Sequence, residues 1–149
     1  GLNIECDLCS SRLDIQGEMK VKENCSADEP KIIGNIKIGK ELNADNINIQ
    51  LYKKSEIQEI VGGKIKIGRM SENKISRFFQ TIFPVDLFKN ASLVVDTIEG
   101  DEIILENTKA SVIRGKNINI GKGCVIDYLE YSGALSKSDN SEIKEEKKI

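Results

Sequence analysis

The chain has 149 residues, which is the size of a single domain. Its formal net charge is −2, and this balance gives no reason to expect a nucleic-acid partner. Aromatic residues make up 5% of the chain and Trp is absent, which favours stacked strands of β-branched residues over a helix bundle.

The first fifty residues repeat one pattern of apolar positions about every 17 residues. Apolar residues two positions apart point to the same face of a strand. The repeating columns are Leu2, Met19 and Ile36; Ile4, Val21 and Ile38; Leu8, Cys25 and Leu42; and Ile15, Ile32 and Ile49. This short period predicts an all-β, parallel β-helix, a solenoid whose turns share one apolar core. The first residue is Gly, in the middle of a turn, so we expect a fragment of a longer chain with further turns upstream.

A fourth, less regular turn covers residues 52–68, and the strand pattern then stops. Between about residues 71 and 83 the apolar spacing changes to three and four, which predicts one short amphipathic α-helix inserted into the solenoid. Its apolar residues are Ile75, Phe78, Phe79 and Ile82. We expect these side chains to pack on the solenoid. The alternative is a helix that binds a partner or an anionic membrane surface, because Lys and Arg residues flank it.

A second repeat, of about 15 residues, follows the helix. Its predicted columns are Val95, Ala110 and Val125; Ile98, Ile113 and Tyr128; Ile103 and Ile118; and Leu105 and Ile120. The two repeats together predict about seven turns in a single β-helix domain over residues 1–131. Residues 132–149 are mostly Ser, Lys, Glu and Asp, so we expect a polar tail that is mobile or docked as one weak strand.

Two short motifs carry possible chemistry. The segment Ile120–Ile126 is similar to one turn of a hexapeptide acyltransferase, but those enzymes use a His general base and the chain has no His. Cys6 and Cys9 form a C-x-x-C pair of the kind that serves zinc or redox sites. The other two Cys residues are too few for a likely framework of ligands, and Cys25 falls in a core column. We therefore expect unligated thiols, with Cys25 buried and Cys6 exposed.

An acidic group lies within the second repeat. Asp96, Glu99, Asp101 and Glu102 resemble the acid cluster of polysaccharide-cleaving β-helices. Acidic residues at a solenoid corner are more often solvated surface residues, and we prefer that interpretation. The sequence thus predicts no catalytic, cofactor-binding or metal-binding residues. An enzyme or binding protein that acts on envelope polysaccharide is the alternative.

Several segments of the second half resemble the bactofilin-related, polymer-forming cytoskeletal proteins of Firmicutes. They are Asp96–Ile103, Leu105–Thr108, Val112–Gly115 and Ile120–Cys124, with Phe83-Pro84, Leu129–Tyr131 and Lys147–Ile149 in addition. The resemblance implies a right-handed parallel β-helix in a cytoplasmic, non-enzymatic scaffold that forms filaments without nucleotide. It also implies a link to cell shape, envelope organisation or motility.

The open end of a β-helix offers unpaired backbone groups and an exposed apolar core to another copy. We therefore predict end-to-end self-assembly through the first turn, with Leu2, Ile4 and Leu8 as contact residues. The expected partner is the chain itself, as a homo-oligomer or filament, and a membrane surface or envelope protein is a further candidate. No cofactor is expected. The absence of a long apolar run or signal-peptide pattern predicts a soluble, cytoplasmic protein, with membrane association as the alternative.

Overall fold

A computed structural model describes residues 1–5, 7–70 and 89–149 of the chain. These residues form eleven strands of one parallel sheet. The strands are β1 (Leu2–Ile4), β2 (Leu8–Ser10), β3 (Asp14–Val21), β4 (Cys25–Ala27), β5 (Lys31–Leu51), β6 (Lys54–Arg69), β7 (Ser92–Leu105), β8 (Thr108–Ile120), β9 (Val125–Tyr131), β10 (Leu135–Lys137) and β11 (Glu142–Lys148). The predicted helix over residues 71–83, with Ile75, Phe78, Phe79 and Ile82, lies outside the described residues. No helix in the described part is long and apolar enough to cross a bilayer.

Consecutive strands stack in the order β1, β3, β5, β6, β7, β8, β9 and β11, and each pairs in parallel with the next. The short strands lie beside this path, with β2 on β4, β4 on β5 and β10 on β8. Long strands continue round the corners of the coil, so that β5 pairs with β3, β4 and β6. The result is a β-solenoid of about eight turns, which confirms the predicted β-helix. It has one turn more than the sequence predicted, because β11 stacks on β9 at the end of the chain.

The register of the first turns agrees with the 17-residue repeat. Leu8, Cys25 and Leu42 stack in one column, as predicted. The register between β5 and β6 then shifts between Ile38 and Glu41, which is the one-residue slip that the sequence predicted at a corner. The N-terminal half of the solenoid was therefore predicted residue by residue.

Two columns of the second half differ from the prediction, because Val125 and Tyr128 face outward. The observed inward pairs are Ala110 with Ile126 and Ile113 with Leu129. The step from β8 to β9 is one residue longer than the step from β7 to β8. The additional residue lies in the corner that contains Gly123, whose φ of 74° is one that glycine adopts without steric cost.

The core is the column of inward side chains that runs through all the turns. Ile, Leu and Val residues dominate it, and Ile36, Ile60, Ile98 and Ile113 are 0% exposed. Each of these side chains is covered by the turn above and the turn below, so the turns share one continuous core. Inward positions therefore become accessible only at the two ends of the stack.

Candidate assembly interface at the ends of the solenoid

The first turn presents an apolar surface formed by Leu2, Ile4 and Leu8, which we call the N-terminal end. Within the described part of the chain, their strands β1 and β2 pair on one side only, with β3 and β4. Leu2 is 38% exposed, and Ile4 and Leu8 are half-buried against the core. The residues directly beneath them, at most 2% exposed, are Met19, Val21 and Cys25. The three residues that the sequence singled out thus lie together on one uncovered column.

The other end of the stack, formed by Leu135, Lys137, Ile143 and Glu146, is called the C-terminal end. These four residues are the register partners of buried core residues, namely Ile118, Ile120, Ile126 and Leu129. Two of the four are charged, and Lys137 Nζ lies 2.6 Å from Glu146 Oε2. Lys137 belongs to β10 and Glu146 to β11, which stack on different segments of the coil. Their side chains meet because both point inward, so the ion pair lies across the end of the core.

The outer edge of β11 is also charged. Ile143 is the only apolar residue in its sequence of seven. Lys144 Nζ lies 2.6 Å from Asp127 Oδ1 on β9, and this hydrogen bond raises the pKa of Lys144. Lys148 lies over the ring of Tyr131, 5.8 Å from its centroid. Charged side chains along an edge strand oppose the addition of another strand, so the two ends of the solenoid differ in both core and edge.

The thiols of the described residues do not form a shared site. Cys25 is fully buried, and this burial, with a smaller contribution from Cys9, raises its pKa to about 11. Cys9 is exposed, whereas Cys124 is buried and burial raises its pKa as well. No group of His, Cys, Asp or Glu among the described residues is arranged to hold a metal ion. Cys6 lies outside those residues, so its exposure remains a prediction.

The acidic group of the sequence is divided between an ion pair and a groove. Glu102 Oε2 lies 3.4 Å from Lys64 Nζ, and Asp96 is exposed to solvent. Glu99 and Asp101 line an open groove of about 520 Å³, where basic side chains accompany them. The basic residues of this groove are Arg114 and Lys116. The groove therefore has mixed charge and suits a polar ligand rather than an apolar one.

Glycines form the floor of this mixed-charge groove. Gly62, Gly100 and Gly115 stack in one column, which confirms the corner that the sequence predicted for the last two. A Cβ at Gly115 would lie 2.8 Å from the carbonyl oxygen of Gly100. Glycine is needed here because the backbones of successive turns approach each other closely, so the column has a structural explanation.

Lys137 and Glu146 are the site residues that the sequence patterns do not identify. Each lies 17 residues after the core residue that it covers, Ile120 and Leu129 respectively. This is the period of the first turns, so a search with that period beyond residue 131 could have aligned them. A search for apolar columns misses them because charged residues are not expected at inward positions.

No protein-family model matches the sequence, and no solved structure matches it. Over 109 residues the chain is 38% identical to a protein of Bacillus subtilis (strain 168) described as "Uncharacterized protein YhbF", an alignment that covers 72% of this chain and 41% of the relative. Over 57 residues it is 39% identical to "Uncharacterized protein YhbE" of the same organism, which covers 38% of this chain and 24% of that relative. The chain thus spans less than half the length of these curated relatives, and the activity and partners of the whole protein are matters for proposal.

Proposed function

We propose that the chain is a non-enzymatic scaffold protein that self-associates by stacking solenoid ends, through its N-terminal end. The observation that carries this proposal is the uncovered apolar column of Leu2, Ile4 and Leu8 beside the free edges of β1 and β2. The resemblance to bactofilin-related proteins supports a cytoplasmic scaffold linked to cell shape, envelope organisation or motility. The chain itself is the proposed partner.

Two physical terms favour the stacking of a second copy on the N-terminal end. Full burial of a Leu or Ile side chain stabilises by about 1.5–3 kcal/mol, and these side chains are already partly covered, so the apolar gain is a fraction of that for each. The free edges of β1 and β2 supply the second term, because backbone N–H and C=O groups would pair across the joint. Backbone pairing also fixes the orientation of the joint, which apolar contact alone does not.

Substitution of an inward residue by Lys tests the proposal, with an outward residue of the same strand as the control. We expect the wild-type chain to self-associate with increasing concentration in sedimentation velocity. Leu2→Lys should abolish this association, because the ammonium group would have to be desolvated at the joint. Asn3→Lys, at the neighbouring exposed position, adds the same charge outside the apolar column and should leave the association intact.

The comparison of Leu2→Lys with Asn3→Lys separates a specific joint from a general charge effect. Leu2 is already 38% exposed, so the substitution should leave the fold intact, which circular dichroism can check. A wild-type chain that stays monomeric at high concentration contradicts the proposal. So does association that survives Leu2→Lys, or that both substitutions weaken equally.

A second candidate is an enzyme or binding protein for envelope polysaccharide. The mixed-charge groove favours it, because acidic and basic side chains together can hydrogen-bond the hydroxyl groups of a sugar. The described lining of the groove has no aromatic ring on which a sugar could stack. Co-sedimentation with purified wall polysaccharide tests this candidate. Binding by the wild type that is lost in Glu99→Gln/Arg114→Gln would favour it over the scaffold.

A further inference from the structure

We infer that the Lys137–Glu146 ion pair closes the C-terminal end against stacking, so that copies of the chain form closed pairs through their N-terminal ends. The closure itself depends only on the last turn. The stoichiometry of two rests on the proposed function, because it requires the N-terminal end to be the surface that associates. The kind of partner is thus a second copy of this chain in one orientation.

The first step of the argument is the position of the two charged residues. Lys137 continues the column that contains Ile120, and Glu146 continues the column that contains Leu129. Both of the covered residues are 0% exposed. A further turn placed on this end would therefore put its inward side chains directly on an ammonium and a carboxylate group.

The second step is the consequence of covering that pair. The Lys137 and Glu146 side chains are 52% and 41% exposed, so water solvates both groups. A stacked copy would remove this water and offer an apolar column in return, and desolvation of an ion pair opposes such a contact. At the N-terminal end the same step would cover Leu2, Ile4 and Leu8, where removal of water is favourable.

The third step is the symmetry that follows from one open end. An open filament requires two different surfaces that recognise each other from copy to copy. Here the C-terminal end is closed, so the N-terminal end has only its own counterpart to meet. Two copies related by a twofold axis satisfy that contact, and the pair then presents two closed ends. Growth stops at the dimer.

A pair of double variants tests the closure. Lys137→Leu/Glu146→Leu restores apolar residues to both columns and should convert a dimer into longer, end-to-end polymers. Asp127→Leu/Lys144→Leu is the control, because it removes an ion pair of the same 2.6 Å length that faces outward, with side chains 48% and 60% exposed. The control should stay a dimer. Sedimentation velocity gives the size distribution, negative-stain microscopy shows the polymers, and circular dichroism verifies that each variant is folded.

The outcomes separate failure of the closure from failure of the proposed function. A dimeric wild type with a polymeric Lys137→Leu/Glu146→Leu variant supports both. A monomeric wild type with a dimeric variant supports the closure and contradicts the proposed N-terminal joint. The closure is overturned if the wild type forms open polymers, if the folded variant is no larger than the wild type, or if the control polymerises to the same extent.

Discussion

Gly123 and Asn107 lie against each other at the corner between β8 and β9, with no room for a side chain at position 123. A Cβ on Gly123 would collide with Asn107 Oδ1 and lie 3.3 Å from its Cγ. Both residues have a positive φ, 74° at Gly123 and 50° at Asn107, in a region that Gly and Asn tolerate better than other residues. This contact occupies the corner at which the register of the last turns changes.

We expect Gly123→Ala to lower the free energy of unfolding by about 1–3 kcal/mol, because backbone strain and the collision with Asn107 act together. Urea denaturation of wild type and variant measures the difference. In the Asn107→Gly background the same substitution should cost less, since the strain remains but the collision is gone. An equal cost in both backgrounds would show that Asn107 does not restrict position 123.

The first turns could be predicted from the sequence because their period is constant and nearly all their inward residues are apolar. The column of Leu8, Cys25 and Leu42 follows directly from that pattern. Each polar residue between the columns points outward, so apolar periodicity alone is enough to set the register. The Leu2, Ile4 and Leu8 surface was predictable for the same reason, because the first members of three columns have nothing before them in the described chain.

The last turns could not be predicted as well, for two physical reasons. The corner at Gly123 accommodates one more residue than the corner at Asn107, and apolar columns contain no information on corner length. The second reason is the ion pair of Lys137 and Glu146. Charged residues at inward positions are tolerated only where no turn covers them, and this condition depends on the tertiary structure rather than on local sequence.

The thiols of Cys9 and Cys25 should differ sharply in reactivity. Cys9 is exposed, whereas Cys25 is 0% exposed and its pKa is raised to about 11 by burial. We expect a thiol reagent near neutral pH to modify Cys9 in the folded protein and to modify Cys25 only after denaturant is added. Mass spectrometry of the digested protein assigns the modified residue. Equal modification of both would contradict the observed column of Leu8, Cys25 and Leu42.

Burial of the Cys25 thiol also makes the stability of the fold depend on alkaline pH. Its pKa is raised from an ordinary value of 9.0 to about 11, so the folded state keeps a proton that the unfolded state loses. The contribution of this residue to stability is therefore fully present below pH 9.0 and declines as the pH rises toward about 11. Urea midpoints measured across this range should fall more steeply for the wild type than for Cys25→Ala. Identical slopes would assign the alkaline loss to other groups.

Residues 71–83 lie outside the described structure, so the role of their apolar face stays a sequence prediction. If Phe78 packs on the solenoid, Phe78→Asp should lower the free energy of unfolding by about 2 kcal/mol or more, because burial of an unpaired carboxylate is costly. Gln80→Asp, on the opposite side of the predicted helix, is the matched control and should change stability little. Unchanged stability with loss of binding to anionic vesicles would instead favour the membrane interpretation.

Ile65 and Lys64 are neighbours in β6 that test how much of the stability comes from the inward columns. Ile65 is 0% exposed between Ile47 and Ile103, so Ile65→Ala should leave a cavity and lower the free energy of unfolding by about 2–5 kcal/mol. The Lys64 side chain is 57% exposed and its ammonium lies 3.4 Å from Glu102 Oε2. Because exposed ion pairs are well solvated, Lys64→Ala should cost less than about 1 kcal/mol.

Salt provides the control for the comparison of Ile65→Ala with Lys64→Ala. High salt screens an exposed ion pair but not a buried apolar contact, so it should erase the small effect of Lys64→Ala and leave the cost of Ile65→Ala unchanged. Urea denaturation at low and high salt measures all four values. If Lys64→Ala cost as much as Ile65→Ala at low salt, the ion pairs between turns would have to be counted with the core as a main source of stability. The solenoid would then lose its register in concentrated salt, which the burial of Ile65 and its neighbours argues against.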